Sequence, residues 1–297
     1  MRQELIDINV SRMVAAYRGD AEVREAGQTQ DNDLSSDQTD GEQLPRFETS
    51  TSRIVAAVAL TKEEEATLSA ILERVLTDTK AIYEFFASRL KLLEFDHFAS
   101  VIFCGACLDL GRFEEAQAVL NGIPSDWDPR HHAILNARLL IAHNRHKDAA
   151  DVLKPVVSLP PHEQRAAWHL MNRIWLLLLE VTIATESADA AVQVLQDWKV
   201  AMGRVKSVQA YRQVALASAR EGNAAAAEAH FNEGLDCSNG TDSHLIADYI
   251  EFLGKQGRRT LAAKYLPLLD VSKKSILKRK QELEGMLEST KEATPAD

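Results

Sequence analysis

The chain has 297 residues, 45% of them apolar, with only 13 glycines and 8 prolines. That balance favours helix and can fill a continuous core, arranged as one or two compact domains or as an elongated array. The net charge of -10 argues against a general nucleic-acid binder, which needs a basic field.

Residues 1–18 carry Ile6, Val10, Met13, Val14 and Tyr17 at helical spacing, the pattern of a short amphipathic helix. Such a helix either folds back onto the rest of the chain, docks on a partner as a helical peptide, or forms with no stable contact. The first residues include Glu4 and Asp7 and lack the apolar run of a secretory signal. Most of 1–60 is expected to be disordered. Gln28 to Gln43 is almost wholly polar and acidic, and cannot bury enough surface to offset its ordering entropy. Arg53 to Leu60 is short and apolar, and is a candidate for local docking.

Order is expected from Thr61. Thr61-Lys62-Glu63-Glu64 has capping-box spacing. Leu68, Ile71, Leu72, Val75 and Leu76 form one apolar stripe, and Ile82, Phe85, Phe86, Leu90 and Leu93 form another. Residues 61–95 therefore read as an N-terminal hairpin or cap, either as two helices or as one bent near Thr77-Asp78-Thr79. A second hairpin runs from about Asp96 to Gly122 and is stopped by Asn121-Gly122-Ile123-Pro124. Asp126-Trp127-Asp128-Pro129 turns the chain into the next hairpin, roughly 130–158, closed by Pro160-Pro161. A long apolar helix is predicted over roughly 163–184, with Trp168, Leu170, Ile174, Trp175 and Leu176 to Leu179 expected to be buried. Its most apolar run, Ile174 to Leu179, is far shorter than the roughly 20 residues a bilayer crossing needs. Further hairpins cover about 207–237 and 243–270. Residues 271–297 form a charged capping helix and a short disordered tail, with Ile276, Leu283 and Leu287 as the helix's apolar seam.

One frame recurs through 96–270. In Leu110 to Leu120, Gly111 supplies a left-handed helix end, Phe113 opens the next helix, Ala116 permits close approach and Leu120 extends the buried face. The same frame returns as Asn144, Ala149, Leu153, then as Gly222, Ala227, Phe231, and again as Gly257, Ala262, Leu266. Glu186, Ala191, Leu195 fill the gap, with Trp175 in the preceding helix. The period is close to the roughly 34 residues of the tetratricopeptide repeat. The chain resembles that family over roughly 97–270, well in the elbows and weakly in the first helices. Trp175 fits the family's aromatic start, and Cys104, Ala137 and Ala215 fit its later small residue. The resemblance implies an all-α fold: a right-handed α-solenoid of antiparallel helical hairpins with a C-terminal capping helix.

Three features invite chemistry. Cys104-Gly105-Ala106-Cys107 is a CxxC, but it falls inside a predicted helix rather than at an N-terminus that would lower a thiol pKa. Zinc would need a second ligand pair, and Cys237 is alone. Buried thiols acting as small hydrophobes are expected. His131, His132, His143 and His146 cluster without a metal signature and read as surface or capping residues. Lys273 to Lys280 is basic and reads as the solvated side of the capping helix, with an import signal or an acidic-partner patch as alternatives. No catalytic residue, cofactor or metal is expected. The three cysteines suit a reducing compartment, so the cytoplasm is the expected location, with the nucleus left open.

In such a solenoid the first helix of each hairpin lines the inner wall. That wall would present Arg138, Arg173, Glu180, Gln209, Arg212, Asp248 and Glu251 as partner-binding residues. Nothing in their own hairpins neutralises Arg138, Arg173 and Arg212 together, so an acidic segment of a protein or peptide is the expected ligand. The alternative is pairing with nearby carboxylates, Arg173 with Glu180 for instance. The expected function is a non-catalytic scaffold or adaptor that binds a partner peptide or helix. Two other readings stay open: a permanent structural subunit of a larger complex, and an enzyme using Cys104 and Cys107.

Overall fold

The computed structural model describes residues 60–289, apart from 74, 95, 125 and 126. The expectations for the 1–18 helix, the acidic stretch, Arg53 to Ala59 and the tail beyond 289 lie outside the described residues. Among the described residues the chain is all-helical, with no strand. It divides into two units, the first ending at Ile174 and the second beginning at Trp175.

The first unit begins with α1 (Lys62–Leu72) and α2 (Thr79–Ala87). The Thr61 hydroxyl accepts from the Glu64 amide and the Glu64 carboxylate accepts from the Thr61 amide, so the capping box forms. Asp78 caps α2, which separates it cleanly from α1. Leu68, Ile71, Leu72, Phe85 and Phe86 are buried as their spacing predicts. Leu76, Ile82 and Leu93 are half-buried against the same core, and two stripe residues are exposed, Val75 at 72% and Leu90 at 56%. Val75 lies past the end of α1, and Leu90 begins a 3-10 turn, Leu90–Glu94, that buries Leu92 instead. A tighter turn shifts which residue faces inward.

The hairpin α3 (His97–Asp109) and α4 (Phe113–Gly122) follows, then α5 (Pro129–Ala142) and α6 (His146–Val157). Helix α3 packs on α2, α4 and α5, and α5 packs on α4 and α6. The predicted long helix is two elements, α7 (Pro161–Ala166) and α8 (Trp168–Thr185). Ala167, at φ -107 and ψ 40, breaks it. Gln164 is buried there, and its amide nitrogen donates to the carbonyls of Val157 (2.8 Å) and Leu159 (2.7 Å), satisfying groups at the end of α6. Of the α8 residues expected to be buried, Ile174, Trp175, Leu178 and Leu179 are, whereas Trp168, Leu170, Leu176 and Leu177 are half-buried.

The second unit holds α9 (Ala188–Met202), α10 (Val208–Arg220), α11 (Ala224–Ser238), α12 (Ser243–Lys255), α13 (Arg259–Tyr265) and α14 (Lys274–Ser289). Helix α10 packs on α9, α11 and α12, and α12 packs on α13 and α14. Phe231, Tyr249 and Phe252 stack at the centre, with ring centroids 5.1 to 6.3 Å apart. Ile276, Leu283 and Leu287 of α14 join this core, so the capping seam is buried as expected. Gly234 has no counterpart in the sequence reading. A Cβ there would lie 2.9 Å from Leu245 Cδ2 and 3.2 Å from Tyr211 Cβ, so glycine lets α11 run close to both neighbours.

Four elbows share one geometry. Gly111, Asn144, Gly222 and Gly257 all take positive φ, from 57° to 82°. In each, the next residue's amide reaches back to a carbonyl five residues earlier: Arg112 to Cys107, Arg145 to Leu140, Asn223 to Ser218 and Arg258 to Leu253, at 2.8 to 2.9 Å. This left-handed stop satisfies the last helical carbonyls and reverses the chain. The alanines five residues beyond each left-handed residue, Ala116, Ala149, Ala227 and Ala262, have no exposed surface. The elbow before α9 departs from the pattern: Glu186 is not left-handed, and the Ser187 hydroxyl caps the helix.

Candidate functional site

Two of the predicted site residues, Arg138 and Arg173, line one groove within the first unit. Helix α3 presents Val101, Ile102, Gly105, Ala106 and Asp109 along one side, as helical spacing requires. Ile134, Leu135 and Arg138 of α5, Leu170 and Arg173 of α8, and Leu76, Thr77, Thr79 and Ile82 around the α1–α2 turn face the same space. Together they line a groove of about 310 Å³. Its lining mixes aliphatic side chains with Thr77, Thr79 and His131. Its charged lining residues are Arg138, Arg173 and Asp109.

Arg138 Nη2 lies 2.5 Å from Asp109 Oδ1, a pair spanning α5 and α3. The Arg138 side chain is 20% exposed and the Asp109 carboxylate 54%. With Asp109 half in solvent, a pair of this kind contributes on the order of 1 kcal/mol to stability, so another carboxylate could exchange with Asp109 at modest cost. Arg173 is exposed and lines the same groove.

Gly105 is the unusual part of the floor. It sits in the interior of α3, where glycine is about 0.8–1.0 kcal/mol less favourable than alanine. Among the described residues, no atom outside its own helix's backbone and chain neighbours lies within 4 Å of a Cβ added there. Internal packing therefore does not require a glycine, whereas at Gly234 it does. The space that Gly105 leaves belongs to the groove.

The other predicted wall residues divide into two groups. Glu180 and Gln209 are exposed on α8 and α10. Arg212, Asp248 and Glu251 are already engaged with each other's neighbours in the second unit. Arg212 Nε lies 2.5 Å from Asp248 Oδ2, Arg279 of α14 bridges Asp248 (3.5 Å) and Glu251, and Lys255 Nζ lies 2.7 Å from Glu251. Hydrogen bonding from Lys255, with Arg279 close by, holds the Glu251 carboxyl below the usual carboxylate range. These charges join α10, α12 and α14, so the partners of Arg138 and Arg212 come from adjacent hairpins rather than from their own. Sequence spacing within a hairpin could not reveal them.

The CxxC lies well inside α3. Both thiols are buried, and burial pushes Cys104 up to about 12 and Cys107 up to about 11. The thiolate that redox or metal chemistry needs is thereby disfavoured. The motif instead divides by face: its cysteines enter the core and its two middle residues line the groove. In the native protein at pH 8, Cys237, which is half-buried, is expected to react with a thiol reagent at least about tenfold faster than Cys104 and Cys107, since access and thiolate fraction both favour it. Thiol counting before and after unfolding checks this, and rapid native labelling of either buried cysteine would remove the packing role.

His143 forms the C-terminal cap of α5 and its Nδ1 lies 2.8 Å from the Leu139 carbonyl. His146 opens α6. His131 differs from the surface or capping expectation: it is buried, with Nδ1 2.8 Å from Asp128 Oδ2. Among the described residues no group of three or more His, Cys, Asp or Glu is arranged to hold a metal ion. No described helix is long and apolar enough to cross a membrane. The basic run behaves as a helix face, with Lys274 and Lys278 exposed, Ile276 buried and Arg279 engaged by α12.

A scan against known protein families finds none whose profile matches the chain. A search of characterised proteins finds no similar sequence. The fold and the groove are therefore the basis for any functional reading.

Proposed function

We propose that the chain is a non-catalytic binding module, a tetratricopeptide-like solenoid that holds a partner peptide or helix and acts as a scaffold or adaptor. The observation that carries this reading is the groove itself. It crosses helices from successive hairpins, is lined by aliphatic side chains beside the open position at Gly105, and includes Arg138 and Arg173. Apolar burial supplies affinity, and the arginines set direction by engaging a carboxylate of the ligand. The recurring left-handed elbows support the solenoid arrangement, because hairpins of one geometry stack in one sense. Raised thiol pKa values and the inward-facing cysteines support the non-catalytic part.

The test is Gly105→Leu. Its side chain would enter the groove without meeting the chain at Cβ. Melting temperature should hold or rise, since leucine is the better helix former. Capture of co-purifying partner from the native source should fall by about tenfold or more, equivalent to about 1.4 kcal/mol. A variant that folds and captures like wild type would place binding elsewhere on the molecule.

A further inference from the structure

We propose that the outer face of α14, with the turn that feeds it, is a docking surface for an anionic lipid bilayer, engaged at headgroup level. This surface lies wholly within the second unit and is independent of the groove. Its charge runs against that of the chain. Residues 264–280 carry Lys264, Lys273, Lys274, Lys278, Arg279 and Lys280 against Asp270 alone, in a protein of net charge -10. Arg279 turns inward, to Asp248 and Glu251 of α12. Asp270 is committed to its own turn, where Oδ1 accepts from the Ser272 amide at 3.1 Å, with Lys273 nearby. Lys264, Lys274 and Lys278 are exposed. Among the described residues Lys264 and Lys274 make no ion pair, and Lys278 reaches only Glu282, at 3.9 Å.

Aliphatic side chains share this surface. Leu268, Val271 and Leu277 are 50%, 42% and 43% exposed, three of the seven large hydrophobic residues exposed among the described residues, all within ten residues of chain. They are displayed by a fixed scaffold. Leu269 and Ile276 beside them are buried, and the Asp270 amide donates to Ser243 Oγ of α12 at 3.0 Å. On α14, Lys274, Leu277 and Lys278 share a face by helical spacing, while Ile276 and Leu283 enter the core. That mixture selects the occupant. A bilayer takes aliphatic side chains at the acyl boundary while lysine ammonium groups reach lipid phosphates and carboxylates. A nucleic-acid backbone offers phosphates but no apolar partner for three aliphatic side chains. A protein carboxylate is held best by an arginine fork, whereas the outward cations here are all lysines, point charges that need no fixed geometry. At about 0.15 M salt, charges more than about 8 Å away are largely screened, so the acidic remainder of the chain does not cancel the patch. Each lysine near an anionic bilayer strengthens binding about fivefold.

The experiment is flotation of the full-length chain with vesicles of phosphatidylcholine and phosphatidylserine, three to one, and with vesicles of phosphatidylcholine alone. The protein should partition onto the anionic vesicles at least about tenfold more strongly than onto the neutral ones, and should be released as salt rises from about 0.1 M to about 1 M. Lys274→Glu with Lys278→Glu should lower that partition by about tenfold or more, with helicity and melting unchanged because both side chains are exposed. Leu277→Asp should lower it as well, since a carboxylate cannot enter the acyl boundary unpaired. Lys80→Glu with Lys147→Glu makes the same change in net charge at exposed positions outside this surface, and should float like wild type. Equal partition onto the two kinds of vesicle overturns the proposal. So does wild-type flotation of the α14 double variant or of Leu277→Asp, or an equal loss in the control. Binding to soluble polyglutamate by a chain that does not float overturns it in favour of an acidic protein segment.

Discussion

Ala116→Leu and Ala227→Leu are each expected to lower the free energy of unfolding by about 1–3 kcal/mol. Both alanines are wholly buried where the second helix of a hairpin meets the first. In the first unit the contact is already tight: Cys104 Sγ of α3 lies 3.4 Å from the Ala116 carbonyl oxygen of α4. Added carbons must push the two helices apart or force strained rotamers, and a close-packed interior accommodates neither well. Ala229→Leu is the control. Ala229 is exposed on the same helix as Ala227, so its replacement should stay within about 0.5 kcal/mol of wild type. Urea unfolding followed by circular dichroism reads all three. If the two buried variants unfold like the control, the elbow frame does not mark the helix contacts.

The elbows were legible because their signal is local. A left-handed residue after a helix needs glycine or asparagine, and Gly111, Asn144, Gly222 and Gly257 announce it at the right distance from a small residue. The capping box at Thr61 and the seam of α14 were legible for the same reason: each is a spacing within one helix or turn. What failed was not local. Val75 and Leu90 fit an apolar stripe, but the stripe presumes the helix continues, and it does not. The break at Ala167 depends on Gln164 reaching carbonyls of the preceding helix. The pairing of Arg138 with Asp109, and of Arg212 with Asp248, depends on which hairpins are neighbours. For the groove, the sequence supplied Arg138 and Arg173 but missed Gly105, which it treated only as the filling of a CxxC. A glycine in a helix interior with no packing need was the available signal, and the absence of need becomes visible only once its surroundings are known.

Asp128→Ala should lower the free energy of unfolding by about 2–4 kcal/mol, through two losses at one carboxylate. The Oδ1 atom caps α5, accepting from the amides of Arg130 (2.9 Å) and His131 (3.4 Å). The Oδ2 atom lies 2.8 Å from Nδ1 of His131, whose ring is 5% exposed and packs against Phe98 and Trp127. Alanine would leave helix amides uncapped and a buried imidazole without its carboxylate. Asp128→Asn retains an oxygen acceptor but not the charge, so a smaller loss, about 1–2 kcal/mol, is expected. The pH dependence gives an independent check. Burial acts to raise the Asp128 carboxyl, but the hydrogen bond and charge of His131, with the charge of Arg130, outweigh it and hold the group at about 2. Its folded value therefore lies below the ordinary 3.8, so the stabilisation is present in full above that value and is lost as pH falls toward 2. Thermal melts between pH 6 and pH 2 should show wild type losing stability over that acid limb, with Asp128→Asn losing less because its side chain has no proton to take up. An Asp128→Asn variant whose acid limb matches wild type would show that this carboxylate does not hold the start of α5, and the floor that Ile134 and Leu135 lend to the groove would need another anchor.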